Sequence, residues 1–287
     1  MTNIVEARGL RKHYGRFKAL DGVDLTIQSG AITGLIGPNG AGKTTTLKVL
    51  LGLCDFEGEL SVVGRDPRHG RHKLMEDVCF IADVGILPKW MKVEQVLTYA
   101  EAVHPHFDRS RAEGFLATTK IPANKRVKAL SKGMVTQLHL ALVMAIDVKL
   151  LVLDEPTLGL DIMYRKEFYD RLLNDYYDGN RTIIVSTHQV EEIQTLLTQL
   201  LFINDGRIVL DAEMAELGET FVELVVDQHS LAAAEALQPL HRRSLLGKHA
   251  LIFEGVPRST LAELGELHTP SVADLLVAKM KQGAAHG

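Results

Sequence analysis

A chain of 287 residues can hold one large domain, or one domain of about 200 residues with an appendage. Its 46% hydrophobic and 24% charged content is the balance of an ordinary soluble globular protein. The formal net charge of −4 and the pI near 6.3 give no bulk attraction to nucleic acid, so no nucleic-acid partner is expected.

The N-terminus, Met1-Thr2-Asn3-Ile4-Val5-Glu6, lacks the basic start and apolar core of a secretory signal. No apolar run approaches the ~20 residues needed to span a bilayer. The nearest, Leu138 to Ile146, is interrupted by His139 and ended by Asp147. Any membrane role must therefore come through a partner. Cys54 and Cys79 stand outside metal-ligand spacings and read as reduced, mostly buried thiols.

In chain order, residues 4 to 36 read as an antiparallel β start, and Asp21-Gly22 between Ala19-Leu20 and Val23-Asp24-Leu25 is the expected hairpin turn. Ala31 to Ile36 is a short apolar strand that runs into a glycine-rich loop, and a buried helix is expected from Thr44 through Leu51. A strand at Glu59 to Val63 closes at Gly64. From about 90 to 145 the spacing turns helical: Val93, Val96, Leu97 and Ala100 recur at the helical period, and Pro105 and Pro122 divide the segment.

Continuous apolar runs return at Leu150 to Asp154 and Thr182 to Ser186, as expected of parallel strands covered on both faces. Phe168, Leu172, Leu173 and Tyr176 mark a crossover helix between them. Asn204-Asp205-Gly206 is a second hairpin turn, between Leu200 to Ile203 and Arg207 to Leu210. Beyond about 212 the pattern weakens, with strands expected at Val222 to Val226 and Ala250 to Phe253 and a helix at Val272 to Met280.

Gly37, Gly42, Lys43 and Thr44 satisfy the phosphate-loop spacing G-x-x-x-x-G-K-[ST] within Gly37-Pro38-Asn39-Gly40-Ala41-Gly42-Lys43-Thr44-Thr45. Glycines let several backbone N–H groups turn inward and approach phosphate closely. The following helix presents its positive end to the same anion. Lys43 supplies a point charge to the β- and γ-phosphates, and the Thr44 hydroxyl is placed to ligate Mg²⁺. Chance produces such a match on the order of once in a hundred chains of this length. The strand before and the helix after lower that figure further.

Asp154 and Glu155 stand just past a buried strand, about a hundred residues downstream. Asp154 would hold Mg²⁺, and Glu155 would polarise the attacking water as general base.

With these two constellations in place, Leu130-Ser131-Lys132-Gly133-Met134 resembles the ABC signature, whose usual form is Leu-Ser-Gly-Gly-Gln. The resemblance to the ABC ATPases covers roughly residues 4 to 215. It implies an α/β fold: a P-loop NTPase core of ABC type with an antiparallel β subdomain, a helical insertion at about 85–145, and a small C-terminal α/β extension at 216–287, regulatory in one reading. It further implies that Tyr14 stacks on adenine, that Asp161 in Leu158-Gly159-Leu160-Asp161 belongs to a dimer-interface loop, and that His188 senses the γ-phosphate. Ser131, Lys132, Gly133 and Met134 would act in trans on a second chain's nucleotide. At the loop joining core and insertion the family carries Gln, and Asp83 stands at the matching position as a candidate metal ligand.

Leu-Ser-Lys-Gly-Met and His104-Pro105-His106-Phe107-Asp108 are similar to segments of ATPases that work with ABC-2-type permeases. The expectation is therefore an ATP- and Mg²⁺-dependent ATPase. It would pair with a second ATPase subunit and power export from the inner face of the cell membrane through a separate permease. The competing readings are the ATPase of an importer, which would share these motifs, and a soluble ABC ATPase acting on ribosomes or DNA. Against the latter stand the lack of a tandem second ATPase domain, of a long coiled-coil insertion and of a basic bias.

Overall fold

The computed structural model describes residues 2–82, 87–158 and 161–284. β1 (Asn3–Tyr14) and β2 (Phe17–Gln28) open the chain, and β3 (Ile32–Ile36) leads through the glycine-rich loop into α1 (Lys43–Leu50). β4 (Glu57–Val62), α2 (Arg71–Asp77) and β5 (Val78–Ile81) follow. Three helices come next: α3 (Val93–Val103), α4 (Arg109–Ala117) and α5 (Lys132–Met144), with a 3-10 turn at Val127–Ala129. The chain returns through β6 (Leu150–Asp154), α6 (Ile162–Arg171) with a π turn at Leu172–Tyr176, β7 (Thr182–Thr187), a 3-10 turn at Val190–Glu192, β8 (Gln199–Asn204) and β9 (Arg207–Glu213).

The central sheet runs β5-β6-β7-β3-β8-β9, parallel throughout except for β9. Its middle strands are buried along their whole length because both faces are covered. Leu151, Leu153, Ile183 and Val185 point into a core shared with α5 and α6. Leu150, Val152 and Ile184 point the other way, into a core shared with α1 and the three-stranded sheet β2-β1-β4. Each such side chain contributes about 1.5–3 kcal/mol relative to exposure. The result is a rigid floor from which the loops after β3, β6 and β7 emerge on one edge.

The expected turn at Asp21-Gly22 is corrected by the structure. β1 and β2 turn instead at Gly15-Arg16, with Tyr14 opposite Phe17. Arg11 pairs with Asp21 and Leu10 with Val23, so Gly22 is the extra residue of a bulge, at φ +82°. A glycine that can take positive φ serves a bulge as readily as a turn, and the pairing with β1 that resumes at Asp21 and runs on to Phe17 decides for the bulge. The second hairpin lies where the sequence puts it, with Asn204 opposite Arg207.

Helices α3, α4 and α5 bury a separate cluster around Val93, Leu97, Ala112, Leu116 and Leu138. On α5, His139 is half-buried, and its enclosed Nε2 has no hydrogen-bond partner among the described residues. Burial pushes this imidazole down to about 4. An unfolded histidine takes up its proton near pH 6.5, so the unfolded chain binds more protons as pH falls below that value. Stability is therefore expected to drop by about 2 kcal/mol between pH 7 and pH 5 on account of this one group. Denaturant titrations at both values should show that share of the loss removed in His139→Leu. An identical loss in the variant would contradict the assignment.

Past α7 (Leu217–Thr220), the chain forms β10 (Phe221–Val226), α8 (Leu231–Ala236), β11 (His241–Leu245), β12 (Lys248–Glu254), α9 (Arg258–Ala262) and β13 (Glu266–His268). The antiparallel order β11-β12-β10-β13 makes this a β-α-β-β-α-β unit. Val222, Leu224, Leu251 and Phe253 bury one face against Leu231, Ala234 and Leu261. On the other face, Phe221 and Ile252 join the main core together with Leu275 and Ala278 of α10 (Val272–Ala284). Arg243 ties Glu223 to Asp274 at 2.7 and 3.2 Å, and Lys279 reaches Glu254 at 2.8 Å, so α10 is held to this sheet.

Candidate active site

The loop between β3 and α1 is shaped by what a side chain would strike. At Gly37 a Cβ would fall 2.2 Å from the Ile203 carbonyl oxygen of the neighbouring β8. At Gly42, the N-cap of α1, φ is +113° and a Cβ would lie 2.7 Å from the Ala19 carbonyl oxygen. Neither position admits another residue without moving backbone. Thr46 secures the first turn, donating from both its N–H and its hydroxyl to the Gly42 carbonyl at 2.8 and 3.0 Å.

Lys43 is buried, and its Nζ donates to the Gly37 and Pro38 carbonyls at 2.8 and 3.2 Å. The same ammonium lies 3.4 Å from Glu155 Oε1. A cavity of about 240 Å³ opens here, lined by Phe17, Ala19, Glu155 and most of the loop from Pro38 to Thr45. Thr44 is exposed and Thr45 half-buried at its wall, whereas Ala41 is buried beneath the loop.

β6 ends on Asp154, a buried carboxylate that accepts a hydrogen bond from the Ser186 hydroxyl of β7. Glu155 then turns sharply, at φ +47°, with its N–H donating to the Ser186 carbonyl at 3.1 Å. A non-glycine residue in this region costs on the order of 1–3 kcal/mol. The strain directs the carboxylate out of the sheet, so that both its oxygens lie 3.0 Å from His188 Nδ1. Lys43, Glu155 and His188 thus form one contiguous polar group, with Asp154 linked to it through Ser186.

The remaining candidates fall elsewhere. Ser131 caps α5, accepting from the Met134 N–H at 3.2 Å, with Lys132 exposed and Gly133 buried beside it. Asp161 caps α6, accepting from the N–H groups of Met163 and Tyr164, each at 3.1 Å. None of these residues lines the cavity at Lys43. Tyr14 is half-exposed, with Lys12 Nζ 5.2 Å from its ring centroid, and the aromatic that lines the cavity is Phe17. Sequence reasoning passed over Phe17. Its signal was the two-residue turn at Gly15-Arg16, which sets residue 17 opposite residue 14. Asp83 lies outside the described residues.

For a divalent ion, the candidate oxygens are the Thr44 hydroxyl at the cavity wall and the Asp154 carboxylate at the end of β6. Among the described residues no cluster of three or more acidic, His or Cys side chains forms an all-protein cage. A hydroxyl and one carboxylate suit Mg²⁺, which keeps several waters and takes other oxygens from substrate phosphates.

The ABC transporter family profile matches residues 20–158. The chain is 32% identical over 271 residues to a Nod factor export ATP-binding protein I of Cupriavidus metallidurans, covering 88% of this chain and 86% of that protein. It is 32% identical over 244 residues to the daunorubicin resistance ATP-binding protein DrrA3 of Streptomyces coeruleorubidus, covering 81% and 77%. Among solved structures, an ATP-binding subunit of an ABC transporter superposes with a TM-score of 0.68 at 22% identity, over 75% of this chain and 92% of that one.

Proposed function

The chain belongs to the family of ABC transporter ATP-binding subunits, and from that membership we propose that it powers export through a separate ABC-2-type membrane permease. ATP binding and hydrolysis are the activity of the family. Export is supported by the names of two relatives, a Nod factor exporter and a daunorubicin resistance protein. No helix among the described residues is long and apolar enough to cross a membrane. The proposed location is therefore peripheral, on the cytoplasmic face of the membrane, held there by the permease.

The observation that supports the mechanism is the separation of the Lys43 cavity from the signature residues. The cavity at Lys43 is lined by the glycine-rich loop and Glu155 but by none of Ser131, Lys132, Gly133 or Met134. A second chain, arranged head to tail, supplies those residues to the γ-phosphate, and Asp161 lies along the shared surface.

Within each chain the loop N–H groups and Lys43 hold the β- and γ-phosphates, with Lys43 exchanging carbonyl partners for phosphate oxygens. Tyr14 and Phe17 offer aromatic faces to the base. Thr44 and Asp154 would hold Mg²⁺, which would supply neutralisation of phosphate charge. Glu155 accepts the proton of the attacking water, and His188 orients that carboxylate while donating toward the γ-phosphate. Hydrolysis removes the γ-phosphate contacts shared by the two chains, and the dimer loosens.

The chain divides in this reading into an ATPase part through residue 215, with α3 to α5 receiving the permease, and an extension at 216–287. The extension is proposed to be regulatory, because α10 packs against the 3-10 turn Val190–Glu192 that follows His188. Purification from detergent-solubilised membranes of the native organism is expected to bring down a multi-span membrane protein encoded beside this chain. Recovery with ribosomes or DNA and no membrane protein would overturn the transport reading.

A further inference from the structure

The first turn of α6 touches two parts of the proposed machinery at once. On one side, a Cβ built on Gly133 would fall 2.8 Å from Cε2 and Cζ of Tyr164 and 3.2 Å from its hydroxyl oxygen. The phenol end of Tyr164 therefore lies against Gly133 of the signature turn. On the other side, the next residue, Arg165, donates from Nη1 to Gln189 Oε1 and to Glu192 Oε1. Gln189 directly follows His188, whose Nδ1 is 3.0 Å from both oxygens of Glu155.

This turn is itself held rigidly. Asp161 Oδ1 accepts from the Met163 and Tyr164 N–H groups, and the Asp161 carbonyl accepts from the Arg165 N–H at 3.1 Å. Neighbouring residues on a helix point about 100° apart, so one turn reaches two surfaces without a hinge between them. A displacement of the signature turn must then be carried to the segment after His188, and the reverse holds equally.

We propose that Tyr164 and Arg165 are positioning residues that join the signature turn to the His188 segment of the same chain, coupling the two nucleotide sites of a dimer. The inference rests on the shared-site reading above. In that reading a chain's signature engages its partner's ATP while its own Glu155 and His188 serve its own ATP. The bridge reports engagement of one site to the catalytic pair of the other, and linkage makes the coupling reciprocal for binding. It also gives Gly133 a requirement internal to the chain, since any side chain there meets Tyr164 before it meets a phosphate.

The test measures steady-state ATPase against ATP concentration for the full-length chain, Tyr164→Leu, Tyr164→Phe and Arg165→Lys. Affinity of the dilute, monomeric chain for ADP is measured alongside. For the parent chain and Tyr164→Phe, which keeps the ring, the Hill coefficient should approach two. For Tyr164→Leu and for Arg165→Lys, which lacks the planar fork, it should fall toward one with kcat lowered by about tenfold. ADP affinity should stay within about twofold, because neither residue lines the nucleotide cavity.

A lowered kcat with an unchanged Hill coefficient would assign Tyr164 to local packing of the signature and overturn the bridge. Variants indistinguishable from the parent would overturn it as well, leaving the shared site intact if the parent chain dimerises with ATP. A parent chain that neither dimerises nor hydrolyses cooperatively would overturn both.

Discussion

Glu155→Gln is expected to bind ATP as tightly as the parent chain and to hydrolyse it about 10²–10⁴-fold more slowly. The amide keeps the size of the side chain, and the backbone at φ +47° is no less accessible to Gln than to Glu. It can still hydrogen bond to His188 Nδ1, which lies 3.0 Å from both carboxylate oxygens. What it loses is basicity, so the bound water keeps its proton. Lys43 also loses a negative neighbour at 3.4 Å, which can only favour an incoming phosphate. Single-turnover hydrolysis with radiolabelled ATP separates the two effects. A rate within a few-fold of the parent would remove Glu155 from the role of base.

Lys43→Ala is expected to fail one step earlier. Its ammonium donates to the Gly37 and Pro38 carbonyls and faces Glu155, so the loop is organised around one positive charge. Deleting that charge leaves two carbonyl oxygens and a carboxylate facing an anionic triphosphate. Hydrogen bonds to charged groups are worth about 1.5–3 kcal/mol, which converts to a loss of about ten- to a hundredfold in ATP affinity. Equilibrium titration with a fluorescent ATP analogue reads this directly. Binding within twofold of the parent would mean that the loop N–H groups alone hold the phosphates.

The parts of the site that were legible in the sequence are those whose chemistry is local. Gly37, Gly42 and Lys43 act through a fixed spacing on one loop, and the strand and helix that flank them have strong apolar patterns. Asp154 and Glu155 sit at the end of a strand buried on both faces, which produces an uninterrupted apolar run. Non-local features were harder to read. Phe17 lines the cavity only because β1 and β2 turn at Gly15-Arg16, and Asp21-Gly22 carries the stronger turn signal in isolation.

The strands β11 and β13 left no apolar signature because they are short and largely exposed at the edges of their sheet. The β-α-β-β-α-β order of the extension therefore becomes visible only in the fold. The contact between Gly133 and Tyr164 spans thirty-one positions and depends on how α5 and α6 pack, which no spacing rule encodes.

The shared site is the central claim, and mass measurement by light scattering tests it most directly. In the Glu155→Gln background, the 31.7 kDa chain should run as a monomer without nucleotide and at twice that mass with saturating Mg-ATP. Adding Ser131→Arg should leave the ATP affinity of the monomer unchanged and abolish the dimer, because in the proposed arrangement Ser131 serves only the partner's nucleotide. A monomer that persists in ATP without the second substitution, or a dimer unaffected by it, would contradict a site built from two chains.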